Sequence, residues 1–310
     1  MSANLEVNLG GLVMKNPVTV ASGTFGYGQE YDRYFDVAQL GAVTTKSISV
    51  NPRAGNRPPR IVETPAGMLN AIGLQNVGID DYIAKKVPFL RDKNVPIIAN
   101  IYGHSVEEYV ELARRLDETG SCDAIEVNLS CPNVHNAQSA RGPALVAQDP
   151  GKVFDYTKAI RAVTKRPLFV KLTPNVTDIR EPALAAQEAG ADALALINTL
   201  MGMAIDPETR CPRLANIVGG LSGPAIRPVA LKMVWDVART VQIPVLGMGG
   251  ICCAADAIQF LLAGATAVAI GSMTFRQPDA PLSIVQGIAE YLDRHGIEQV
   301  TDLIGAVDIG

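Results

Sequence analysis

"PIIANIYGHSVEEYVELARRLDETGSCDAIEVNLS", residues 96–130, is the stretch whose reading decides the fold. It opens on a short aliphatic run, "PIIANI" (96–101), and ends on another, "AIEVNLS" (124–130). Strands covered on both faces read as near-continuous apolar runs of this kind. Between them "SVEEYVELARRLDETG" (105–120) has the period of an amphipathic helix. Ser105 stands at the N-cap with Glu108 three residues on, and Tyr109, Leu112 and Leu116 form one apolar stripe. Strand, helix and strand in succession predict parallel pairing with a right-handed crossover.

The pattern repeats in both directions. Further strand signals are "PVTVAS" (17–22), "GAVTTKS" (41–47), "PLFVKLT" (167–173), "ALALIN" (193–198), "PVLGMGG" (244–250) and "AVAIGS" (267–272). Helical patterns follow at 178–191, 226–241, 254–265 and about 281–295. Eight strands alternating with helices predict a (β/α)8 TIM barrel, with a doubly wound open sheet as the alternative. No G-x-G-x-x-G follows the first strand, which counts against a dinucleotide-binding open sheet. "LEVNLGGLVMKN" (5–16) predicts an N-terminal β-hairpin with a Gly-Gly turn, placed across the barrel bottom. Two long excursions rich in Pro, Gly and Asn, 48–79 and 203–225, predict binding loops over the C-terminal face. With no linker or low-complexity run, residues 1–310 read as a single domain.

Composition narrows the function. The 310 residues are 48% hydrophobic with a formal net charge of −4 and no Lys/Arg-rich run, so no nucleic-acid or anionic-membrane surface is indicated. No stretch approaches the roughly 20 apolar residues of a membrane helix. The N-terminus lacks a signal-peptide pattern, so the expected compartment is the cytoplasm. The five cysteines, Cys122, Cys131, Cys211, Cys252 and Cys253, have neither disulfide-framework nor metal-site spacing, and no metal is expected. Cys252 and Cys253 open a helix and are expected to pack.

The polar residues gather at strand C-terminal ends: Ser22, Lys46, Asn100, Asn128 with Ser130 and Cys131, Lys171, Asn198 with Thr199, Gly249-Gly250 and Gly271-Ser272. In a barrel these ends share one face, where such folds carry their chemistry. Glycines followed by helices after the last two strands point to a phosphate site. Lys46 and Lys171 sit inside apolar strands, where an unpaired ammonium is costly, and so are read as functional, one binding an acidic substrate and the other offsetting negative charge that develops on a cofactor. Asn70, Asn76, Asn100, Asn128, Asn133 and Asn198 offer paired donors and acceptors that match a ring of alternating C=O and N–H groups, although asparagine is also common turn chemistry. For Cys131 the metal and structural-disulfide readings are weak, and the residues alone leave buried filler, redox partner and catalyst open.

In order along the chain, "ASGTFGYG" (21–28), "NAIGLQNVG" (70–78), "NLSCPN" (128–133), "VKLTPN" (170–175), "INTLMGM" (197–203), "GGLSGPAIRPVAL" (219–231) and "GMGGI" (247–251) resemble class 1 dihydroorotate dehydrogenases, subclass B most closely. The resemblance covers essentially the whole chain. It implies a barrel with one FMN at its C-terminal face, and oxidation of (S)-dihydroorotate to orotate in pyrimidine biosynthesis. It implies FMN contacts from Ser22, Lys46, Ser47, Asn100, Asn128, Lys171, Ile197, Gly223, Gly249, Gly250, Gly271 and Ser272. It implies substrate contacts from Lys46, Asn70, Ala71, Ile72, Gly73, Leu74, Asn128, Asn133, Asn198 and Thr199, with Cys131 as the base. It further implies a homodimer core joined to an electron-transfer subunit, a heterotetramer, in which the partner's FAD and [2Fe-2S] cluster carry electrons to NAD.

The chain departs from the subclass pattern in one place. "HNAQSARGPALVAQDP" (135–150) is longer than the usual loop there and lacks its paired glycines, which bears on the cover over the substrate. Its "RG" and "QDP" are also similar to dihydropyrimidine dehydrogenases, which act on uracil or thymine. That reading, a stand-alone fumarate-dependent subclass A enzyme and a non-catalytic phosphate-binding barrel are the alternatives.

Overall fold

The computed structural model describes residues 3–130 and 146–310. Eight parallel strands form the central sheet: β1 (Val18–Val20), β2 (Val43–Thr44), β3 (Ile97–Ile101), β4 (Ala124–Asn128), β5 (Leu168–Lys171), β6 (Ala193–Leu196), β7 (Val245–Met248) and β8 (Ala267–Ile270). Their order is β1-β8-β7-β6-β5-β4-β3-β2, so each strand lies beside its sequence neighbour and the sheet curls into a barrel. No ladder joins β1 to β2. The Gly41 N–H donates to the Val18 carbonyl at 3.0 Å, and the buried Thr19 and Thr44 hydroxyls meet at 3.1 Å across the seam. The barrel strands are almost wholly buried, as their apolar runs require.

The helices follow the expected register. Val106–Thr119 packs Tyr109, Leu112 and Leu116 inward and ends at Gly120 in the left-handed conformation. Its capping differs from the sequence expectation. Ser105 makes no side-chain cap bond, and the Glu108 carboxylate accepts from the His104 N–H at 2.8 Å, one residue earlier than a capping box. Arg180–Glu188, Arg227–Ala238, Ala254–Leu262 and Ala280–His295 follow β5 to β8. After β1 the connection carries only the short turn Val37–Gln39, with Phe25 stacked on Tyr31 at 4.1 Å.

The N-terminal hairpin pairs Val7–Leu9 with Leu12–Met14 around Gly10 and Gly11, both at positive φ. Gly10 lies so close to the carbonyl of Asp192, just before β6, that a Cβ there would sit 2.3 Å from it. The hairpin therefore closes the N-terminal end of the barrel, as expected.

The two long excursions join each other. Ile61–Thr64 and Gly67–Asn70 from the first, with Leu200–Met203 and Val218–Ser222 from the end of β6 and the second, make one four-stranded antiparallel sheet. Val62, Leu69, Ala71 and Leu214 form its own small core. This sheet roofs part of the barrel mouth. Among the described residues no helix is long and apolar enough to cross a membrane.

Candidate active site

Strand register decides which side chains enter the barrel. In a parallel ladder, paired residues point to the same side, and residues two apart on one strand do likewise. Asn100 pairs with Glu126, and Asn128 pairs with Lys171. Asn100, Glu126, Asn128 and Lys171 therefore share the interior face. Glu126 is fully buried, an acid placed two residues below Asn128.

Between the strand ends and the roof lies a cavity of about 390 Å³, within the usual range for a small-molecule site. Of the residues expected to hold FMN, Ser22, Lys46, Ser47, Asn128, Lys171, Ile197, Gly223, Gly249, Gly250, Gly271 and Ser272 line it. Of those expected around substrate, Asn70, Ile72, Gly73, Leu74, Asn198 and Thr199 line it with Lys46 and Asn128. Asn100 lies beneath the floor with its Nδ2 on Glu126 Oε1, and Ala71 is buried in the roof's core. Cys131 and Asn133 lie outside the described residues, as does the loop through residue 145. The two cysteines after β7 differ from expectation: Cys252 is partly buried, its thiol pushed up by burial, but Cys253 is exposed rather than packed.

One polar network spans the cavity's floor and side. Asn128 donates through Nδ2 to Ser47 Oγ at 3.3 Å, and its Oδ1 accepts from Ser130 Oγ at 3.2 Å. Asn198 donates to the Ser130 carbonyl at 3.1 Å and to Ser130 Oγ at 2.9 Å. Tyr109 donates to the Asn128 carbonyl at 2.7 Å. The fully buried Ser130, the residue before Cys131 in sequence, is thus fixed from both neighbours. Lys171, nearly buried, donates to Ser22 Oγ at 3.5 Å and pairs with Glu126 Oε1 at 3.4 Å.

Among the described residues the lining carries Lys46, Arg60 and Lys171 and no carboxylate, so the cavity favours an anionic ligand. At its phosphate-competent side, Gly250 has φ +77°, and a Cβ there would sit 2.7 Å from the Gly223 carbonyl. A side chain there would collide with Gly223 and Arg227, so glycine alone keeps this turn at the cavity's edge. On the roof, Leu74 is held at φ +56°, a conformation costing about 1–3 kcal/mol and characteristic of functional sites.

Arg60, Phe275 and Met248 also line the cavity and escaped the sequence reading. Arg60 donates to the Asn56 carbonyl at 3.2 Å and to the Gln75 side chain. It belongs to the first excursion, so the strand-end rule could not find it. Glu126 could have been found, because it shares strand parity with Asn128.

The family model for dihydroorotate dehydrogenase matches residues 4–292. Among curated relatives, the chain is 56% identical over 308 residues to the "Dihydroorotate dehydrogenase B (NAD(+)), catalytic subunit" of Trichlorobacter lovleyi, covering 99% of this chain and 100% of the relative. It is 55% identical to the protein of the same description from Pelobacter propionicus, with the same coverage. For that of Geobacter sulfurreducens the identity is 52% over 306 residues, covering 99% of each. A crystal structure of DHODH in complex with ferulenol from Eimeria tenella superposes with a TM-score of 0.81 at 24% identity, covering 98% of this chain and 88% of that one, which supports the fold.

Proposed function

The chain belongs to the dihydroorotate dehydrogenase family, and from that premise we propose that it is the catalytic subunit of an NAD-linked enzyme oxidising (S)-dihydroorotate to orotate in pyrimidine biosynthesis. The observation that carries the reading is the cavity itself: among the described residues, Lys46, Arg60 and Lys171, a set of amides and glycine backbone surround one space with no acid in the lining.

The residues present fit FMN. Gly223, Gly249, Gly250, Gly271 and Ser272 leave backbone open for a phosphate, and Lys171 and Asn128 stand beneath the space a ring system would fill. Bound FMN supplies the hydride acceptor.

The chain's own residues do the rest. The roof residues Asn70, Gly73 and Leu74, with Asn198 and Thr199, hold the pyrimidine ring, and Lys46 neutralises its carboxylate. Asn128 and Asn198 fix the chain at Ser130. Cys131, next in sequence, takes the C5 proton of the substrate, which is acidified by the adjacent carbonyl. A thiol near its ordinary value of about 8.5 needs only a modest downward shift to serve as a base at neutral pH. Asn133 completes the substrate contacts. In this reading the protein works in the cytoplasm as a homodimer joined to a partner subunit, whose FAD and [2Fe-2S] cluster pass electrons to NAD.

Anaerobic addition of dihydroorotate to the flavin-loaded chain tests the reading. Bleaching that NAD reverses only in the presence of a second subunit is the expected result. Reoxidation by fumarate alone would make the enzyme a stand-alone one. Bleaching by dihydrouracil in place of dihydroorotate would overturn the substrate assignment.

A further inference from the structure

Among the described residues Glu126 is the one buried acid against the floor of the site, and nothing in the proposed reaction uses it. Its side chain is fully buried, and that of Lys171 is 5% exposed. Its Oε1 accepts from Asn100 Nδ2 and faces the Lys171 ammonium at 3.4 Å. Its Oε2 has no partner among the described residues. A carboxylate held this way is costly, since burying one is tolerated only with compensation. Satisfying Lys171 alone does not explain it, because the Ser22 hydroxyl already accepts from the same ammonium. What the carboxylate adds is negative charge directly under the cation that lines the cavity.

We propose that Glu126 is a positioning residue that holds the Lys171 ammonium at the cavity floor and offsets its charge, so setting the reduction potential of the flavin bound above it. The inference rests on the proposed function, in which the cavity holds FMN. Lys171 favours added electrons on a neighbouring ring and Glu126 opposes them, so the pair acts as a dipole whose balance fixes how readily electrons enter and leave. In a low-dielectric floor such charges are felt strongly. An unopposed lysine would make the flavin easier to reduce and slower to hand its electrons on.

Glu126→Gln keeps the shape and the bond to Asn100 but removes the charge. The test is the midpoint potential of bound flavin, titrated with dithionite against a redox dye, with the Kd of oxidised FMN measured alongside. The expected result is a reduced flavin held roughly tenfold tighter relative to the oxidised form, a rise of about 30 mV for a two-electron couple. Glu126→Asp, which keeps the charge but draws it back from Lys171, should shift the potential less and in the same direction. It carries the test if the Gln variant does not fold. A merely structural Glu126 would lower stability and leave the potential alone. A variant that holds flavin at the wild-type potential overturns the proposal while leaving the functional reading intact. A wild-type chain that takes up no flavin overturns both.

Discussion

Replacing Lys171 with Met removes one half of a buried ion pair and leaves the other half in place. The separation is 3.4 Å, and the side chains are 5% and 0% exposed. At an effective dielectric of about 20 the attraction is about 5 kcal/mol. Much of it repays the desolvation of both groups, so the pair adds little net stability over an apolar replacement. The single variant is another matter. Glu126 keeps its burial and its unpartnered Oε2, and loses its cation. Lys171→Met should therefore cost roughly 3–5 kcal/mol. The double variant Lys171→Met with Glu126→Gln should return to within about 1–2 kcal/mol of the parent, because the orphaned charge is gone. Urea denaturation of the flavin-free chains, read at constant m, gives all the values needed for the cycle. A single variant within about 1 kcal/mol of the parent, or a double variant no more stable than the single one, would refute the reasoning.

Three further outcomes are expected. Cys131→Ala should retain FMN but slow flavin bleaching by dihydroorotate roughly 10²- to 10⁴-fold, and near-normal bleaching in a stopped-flow experiment would remove Cys131 as the base. Gly250→Ala, forced to φ +77° with its Cβ 2.7 Å from the Gly223 carbonyl, should weaken FMN binding by about tenfold or more on a strain of roughly 1–2 kcal/mol, and an unchanged Kd by fluorescence titration would count against the cradle. Burial pushes the Cys122 thiol from 9.0 up to about 12 and the Tyr27 phenol from 10.0 to about 12. Above pH 9 the unfolded thiol ionises first, so the thiol's contribution is complete below pH 9 and falls away by about pH 12, at up to roughly 1.4 kcal/mol per pH unit per group. A denaturation midpoint that stays flat across that window would contradict it.

The barrel was legible because its signals are local. Each strand run and each amphipathic stripe lies within a dozen or so residues, and the strand-end rule then delivered Ser22, Lys46, Asn128, Lys171 and Asn198 to one cavity. The resemblance added the roof residues 70–74. The misses have physical causes. Asn100 reads as a strand-end amide, yet its register pairs it with Glu126, a layer below Asn128 and Lys171, so it lies beneath the floor. Arg60 reaches the cavity from the first excursion, just before the edge strand Ile61–Thr64 of the roof sheet, where no barrel strand end marks it. Glu108 accepts from the His104 N–H, one residue before the position a capping box uses.

The roof has a consequence for the order of assembly. Asn70 donates to the Gly220 carbonyl across 150 residues of chain, and β3 to β6 all lie between. Closing so long a loop is unfavourable until intervening structure has shortened it. The four-stranded sheet is thus expected to come together late, after most of the barrel has formed. During refolding, the site's floor should exist before its cover, giving FMN an open mouth to enter. Flavin added early in refolding would then be captured faster than by the finished, flavin-free protein.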